Sequence, residues 1–194
     1  MADPARRAAT YLDVLDAPPQ MIAEVVGGQL HLQPRPGLAH AAAGSALGEE
    51  LGPPFKRGKG GPGGWIILDE PELHLQADIV VPDLAAWRRT RLDVIPATAY
   101  LTMAPDWVAE VLSPRTEKFD RTDKLTVYAR EKVPWVWLVN PQQRTLEILH
   151  LGADDRWIVQ AVHHDDAQIR AEPFDAIVFD LGALWANVQS TESP

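Results

Sequence analysis

Trp107-Val108-Ala109-Glu110-Val111-Leu112 is an apolar run broken at one position, and that break decides how the rest of the chain is read. A short, β-branched and aromatic run of this kind reads as a strand buried on both faces. An ionised carboxyl placed inside it loses its hydration, at a cost of several kcal/mol unless a cation, a metal or strong donors compensate. Glu110 therefore requires a partner from elsewhere in the chain. Two residues are candidates: Asp83, which ends the apparent strand Ile79-Val80-Val81-Pro82, and Lys124, one turn inside the helix that follows Glu110.

Outward from this run, Ser113-Pro114 ends the strand and Asp120 caps an expected helix over 121–132. Residues 135–139 form a compact apolar strand. Strand, helix and strand in that order imply a right-handed crossover between parallel strands. The expected class is α/β or α+β, a mixed sheet flanked by helices with additional β-hairpins. Gly27-Gly28 supplies the positive φ of a two-residue turn and fixes a hairpin register in which Val26 faces Gln29 and Glu24 faces His31. A helix is expected over 4–16 and another over 38–51, with His40, Ala43, Leu47 and Leu51 on one side. Further strands are expected at 65–68, 72–75, 77–81, 144–149, 157–162 and 176–179, with a final turn at 181–185. The Gly- and Pro-rich stretch 52–64 is expected to be a mobile loop.

Composition narrows the class. The chain has 194 residues, 46% hydrophobic and 23% charged, which suits one sizeable core. Without cysteine, a disulfide framework, a thiolate metal site and a cysteine nucleophile are all excluded. Neither a signal peptide nor a membrane-length apolar segment is evident, so the cytoplasm is the expected compartment and no membrane partner is expected. A formal charge of −9 disfavours loose coating of a polyanion. It leaves room for a nuclease, since carboxylate-held metal ions and local basic loops restore positive charge where it is needed. Two such loops carry Lys56, Arg57 and Lys59, and Arg88, Arg89 and Arg91.

Asp83 follows Pro82, a residue suited to strand ends, where side chains converge on clefts. Lys124 lies about 6 Å along the helix axis from its expected cap, at about 1.5 Å per residue. A helix packing back over its own strand therefore brings the ammonium level with Glu110. Two carboxylates able to hold a hard divalent ion, with a cation that orients water, constitute the chemistry of metal-assisted hydrolysis.

The segments Glu24-Val25-Val26-Gly27-Gly28-Gln29-Leu30, Gly37-Leu38-Ala39-His40, Val81-Pro82-Asp83-Leu84, Trp107 to Pro114, Asp120-Arg121-Thr122-Asp123-Lys124-Leu125 with Tyr128, and Trp137-Leu138-Val139-Asn140-Pro141 occur in an order that resembles the Uma family of restriction endonucleases, within the PD-(D/E)xK superfamily. The likeness runs over nearly the whole chain. It implies a restriction-endonuclease-like fold, expected as a single domain over 1–188, and residues 189–194 read as a flexible tail. It further implies Asp83, Glu110 and the Val111 carbonyl as ligands of Mg²⁺, with Mn²⁺ as a substitute. Lys124 would position water, Glu24 would be an additional acid at the rim, and DNA would be the substrate. The sequence departs from the superfamily pattern two residues after Glu110, where Leu112 stands in place of the motif's lysine. The resemblance moves that role to Lys124 on the following helix, with Lys118 as the rival.

Plainer readings stand beside these. Glu110 and Lys124 are also explained as a structural ion pair, Asp83 as a turn cap, and Glu24 with His31 as a solvent-facing cross-strand pair. His40 reads as a satisfied histidine near a helix start. His163-His164-Asp165-Asp166 reads as a hairpin tip, because adjacent strand residues face opposite ways. The competing function is a non-catalytic binding or assembly module that keeps the endonuclease-like fold, with a homodimer as one open arrangement.

Overall fold

A computed structural model describes residues 7–186 and 188. The tail expected over 189–194, and the first residues of the helix expected from 4, lie outside them. Among the described residues that helix is one short turn, α1 (Tyr11–Leu15). The Gly27-Gly28 hairpin follows as β1 (Met21–Val26) and β2 (Gln29–Pro34), in the expected register, with both glycines at positive φ.

After α2 (Leu38–Leu51) come β3 (Trp65–Asp69), β4 (Leu73–Leu75), β5 (Asp78–Val80) and β6 (Leu84–Arg88). The run around Glu110 is β7 (Trp107–Val111). Next come α3 (Glu117–Phe119), a π-helical turn (Asp120–Lys124) and α4 (Leu125–Arg130), which together form one helical segment over 117–130. β8 (Trp135–Asn140), β9 (Thr145–Leu151), β10 (Trp157–His164), the short β11 (Gln168–Ile169) and β12 (Phe179–Asp180), and a 3₁₀ turn (Leu181–Trp185) complete the order. No helix among the described residues is long and apolar enough to cross a membrane.

The main sheet has six strands in the order β10-β9-β8-β7-β6-β3, with β7 and β8 parallel and the other pairs antiparallel. The crossover expected on either side of Glu110 is therefore present. A second sheet, β2-β1-β5-β4, carries the hairpin. The result is a mixed α+β architecture.

The two-residue period of β7 explains how the core divides. Trp107, Ala109 and Val111 pack with Ala43, Leu47 and Leu51 of α2 on one face. Val108 and Leu112 pack with Val127 and Tyr128 of α4 and with Val26 and Val80 of the second sheet on the other. Glu110 shares the parity of Val108 and Leu112, so its carboxylate emerges beneath the helix over 117–130.

Several expectations are corrected. Asp83 does not end a strand; β5 stops at Val80 and Asp83 directly precedes β6, a strand hidden in the sequence behind Pro82 and three arginines. Arg88 belongs to that strand and lies over the Trp65 ring, and Arg91 pairs with Asp106, so these are not a free basic loop. The helix after Glu110 starts at Glu117 rather than at Arg121, so Asp120 is inside it and caps nothing. The start of the 52–64 loop is instead a π-helical extension of α2 (Gly52–Lys56), because Phe55 is buried against Phe174. The last expected strand shrinks to Phe179–Asp180. His163 and His164 end β10, ahead of the turn into β11.

Candidate active site

Pairing of β6 with β7 sets Leu84 opposite Ala109. One residue beyond the end of that ladder stand Asp83 and Glu110. Asp83 does more than neighbour it, because its Oδ2 accepts the Val111 N–H at 2.7 Å. The Asp83 carboxylate is thus locked against the peptide that follows Glu110. Its other oxygen faces His40 Nε2, 3.2 Å away in the first turn of α2. Asp83 retains 20% side-chain exposure, so it reaches the surface of the cleft.

Lys124 lies deeper, at 3% exposure, with its ammonium 2.8 Å from Glu110 Oε1. It also meets the Val81 carbonyl at 3.1 Å, Glu24 Oε1 at 3.3 Å and Asp120 Oδ1 at 3.9 Å. Glu110, 2% exposed, accepts from Lys124 on Oε2 at 2.9 Å and from the Tyr128 hydroxyl on Oε1. Glu24 is not at the rim and is not a solvent-facing partner of His31. It is fully buried and accepts from the Val81 N–H at 2.8 Å and from Gln33 Nε2 at 2.9 Å. Pairing of β1 with β5 draws it inward, while the His31 ring leans on Phe119. Lys118, the rival lysine, is exposed on the outer side of α3.

Glu24, Asp83, Glu110, Asp120, Lys124 and His40 thus converge on a cleft of about 490 Å³. Four carboxylates face one ammonium and one imidazole, with Arg35 and Arg115 also lining the cleft. Burial alone would favour a neutral Lys124 amine, but Glu110, Glu24 and Asp120 outweigh it and hold the ammonium well above its ordinary pKa. Burial pushes Glu110 above the usual carboxylate range, aided by Asp120 and Asp83 and opposed by Lys124. Asp120 is raised by burial to about 6, again against the pull of Lys124. Burial disfavours the His40 imidazolium, yet the hydrogen bond and charge of Asp83 raise it overall.

Two functional features escape a reading of the sequence alone: the inward-facing carboxylate of Asp120, which there resembles a cap, and the grip of Tyr128 on Glu110. The i, i+4 spacing of Asp120, Lys124 and Tyr128 on one helical face is the signal that points to them. His163 and His164 stay outside the cleft. Among the described residues no three His, Asp or Glu side chains stand as a preformed metal cage.

The family model Uma2, described as "Putative restriction endonuclease", matches residues 8–182. The chain belongs to the Uma2 family. A crystal structure from Anabaena variabilis ATCC 29413, described as "a putative nuclease belonging to DUF820", is similar with a TM-score of 0.67 and 18% identity. The alignment covers 92% of this chain and 98% of that one. At that identity the likeness speaks for the fold alone, which this Uma2-family chain shares over nearly its full length. The comparison with curated proteins gave no match.

Proposed function

We propose that the cleft hydrolyses DNA phosphodiester bonds with the help of a divalent metal. The observation that carries this reading is one cleft at the end of β7 in which Glu110 meets the buried Lys124 ammonium and Asp83 is fixed on the Val111 N–H, in a chain of a family described as restriction endonucleases. The donor chemistry fits Mg²⁺. Asp83, Glu110 and the Val111 carbonyl offer hard oxygens. When bound, the ion would polarise the phosphate and make water more acidic.

The chain's own residues supply the rest. The Val111 N–H and His40 fix the Asp83 carboxylate. Lys124, held protonated by its acid neighbours, supplies a fixed positive charge where the attacking oxygen and the pentavalent phosphorus gather negative charge. Glu24 and the Val81 carbonyl restrict the ammonium to that position, and Tyr128 orients Glu110.

A second reading, a non-catalytic binding module with the same fold, has one observation in its favour: both Glu110 oxygens already bond to Lys124 or Tyr128. Incubation with supercoiled plasmid separates the two. The hydrolase reading expects Mg²⁺- or Mn²⁺-dependent cutting that disappears in Asp83→Ala, Glu110→Gln and Lys124→Ala. Calorimetry finding no Mg²⁺ or Mn²⁺ binding to the wild type, together with no cutting of either plasmid or single-stranded DNA, would establish the module.

A further inference from the structure

Resting on the nuclease reading, we infer that the strand this cleft accepts is unpaired DNA, running from the acid cluster along α2 to Lys56 and Arg57. Three observations carry the inference. The first is depth. Glu110 and Lys124 are 2% and 3% exposed, in a cleft whose lining includes Ile22, Pro34, Pro36 and Leu38, the last 91% exposed, together with Arg35 and Arg115. A phosphate in an intact duplex is fixed on the outside of a rigid cylinder and has two strands' bulk behind it. To approach groups this deeply buried, the backbone must bend into the cleft, and an unpaired strand does so without the unstacking a duplex must undergo.

The second is continuity. A neighbouring groove of about 690 Å³ shares Pro36, His40 and Asp83 with the cleft. It follows α2, whose 14 residues span about 21 Å at about 1.5 Å per residue, over Gly44, Ser45 and Gly48. Lys56 and Arg57 stand at the far end, and among the described residues neither forms an ion pair.

The third is charge. Glu49, Asp69 and Glu70 also line the groove, and the whole chain carries −9. Duplex DNA presents a phosphate for about every 1.7 Å of axis, from two strands. A single strand meets the same acids with a lower charge density and can place its few phosphates at Lys56 and Arg57.

Fluorescence anisotropy on the full chain in Ca²⁺ buffer tests this, using a labelled single-stranded oligonucleotide and the blunt duplex of the same sequence, followed by cutting of both in Mg²⁺. Preference for the single strand by about tenfold or more in binding is expected, the order of discrimination produced by a few backbone interactions. Lys56→Ala/Arg57→Ala should flatten the slope of log K against log salt for the single strand by about 1.4, at about 0.7 for each phosphate that is no longer neutralised. Ser45→Trp, on the exposed lip of the groove, should weaken single-strand binding as well. Equal or tighter binding of the duplex, or an unchanged salt slope in the double variant, would overturn the inference. Single-strand preference without cutting would uphold the track and remove the nuclease reading instead.

Discussion

Lys124 is the cation on which the buried acids of this cleft depend. It donates to Glu110 and the Val81 carbonyl, with Glu24 Oε1 3.3 Å away and Asp120 just beyond. Removing one partner of a buried ion pair leaves an uncompensated charge, typically a loss of about 3–5 kcal/mol. Lys124→Met should therefore lower unfolding stability by about that amount at neutral pH, measured by urea denaturation, because two or three acids lose their cation together. A loss within the range of ordinary surface substitutions would mean that these acids are balanced some other way. Asp120 gives a second residue-level prediction, with a definite sign. Its native pKa of about 6 lies above the ordinary 3.8, so the folded state binds this proton more tightly than the unfolded chain does. Its destabilising effect is absent below about 3.8, grows between about 4 and 6, and is complete above that. In metal-free buffer, the stability of Asp120→Asn relative to the wild type should rise across that window and then level off. A relative stability that stays flat from pH 4 to 7 would mean that Asp120 is ionised normally in the fold.

At the scale of elements, the helix over 117–130 carries the unusual feature. The Leu125 N–H reaches back to the Asp120 carbonyl, five residues earlier, so the turn holds one residue more than an α-turn. This extra residue sets the phase between the start of the helix, tethered to β7 through Ser113, and its end, fixed by Val127 and Tyr128 in the core. Deleting the exposed Thr122 should convert the π turn to α-helix with little change in far-ultraviolet circular dichroism. Activity should fall, because Asp120 then stands three rather than four residues before Lys124 and its carboxylate shifts against the ammonium. Full retention of cutting would show that this phase is unimportant. The same element marks where sequence reading stops. The isolation of Glu110 in an apolar run, the period of β7 and the Gly27-Gly28 turn all act locally, so the crossover, the hairpin register and the core residues around Glu110 are legible in the sequence. A π turn is an exception to the 3.6-residue period that defines the pattern, and it turns Asp120 from an apparent cap into an inward-facing acid. β6 is concealed because Asp83, Arg88 and Arg89 read as loop chemistry, while its burial comes from pairing with β3 and β7 on either side. Glu24 resembles a rim acid because its partners, Val81 and Lys124, come from distant parts of the chain. Phe55 likewise gains its order from Phe174, a pairing no local pattern announces.

For the molecule as a whole, the distribution of charge governs how folding and metal binding are linked. The chain carries −9 overall, and four of its carboxylates meet in one cleft. A dication held there relieves repulsion in the folded state that the extended chain does not experience, so binding must appear as added stability. At a free Mg²⁺ concentration about a hundred times Kd, the gain is about 2.7 kcal/mol, visible as a higher Tm. Any salt also screens a chain of this charge, so the comparison needs NaCl at matched ionic strength, where the Debye length is the same. The wild type should gain Tm in MgCl₂ beyond that control, and Asp83→Ala should not, since it loses one of the two side-chain ligands proposed yet leaves most of the net charge. If both proteins gain equally, Mg²⁺ is acting as a diffuse counter-ion and the carboxylates of the cleft hold no metal. If only the wild type gains, the same titration gives Kd for the site, and cutting rates measured above and below that concentration tell whether the bound ion is the one that reacts.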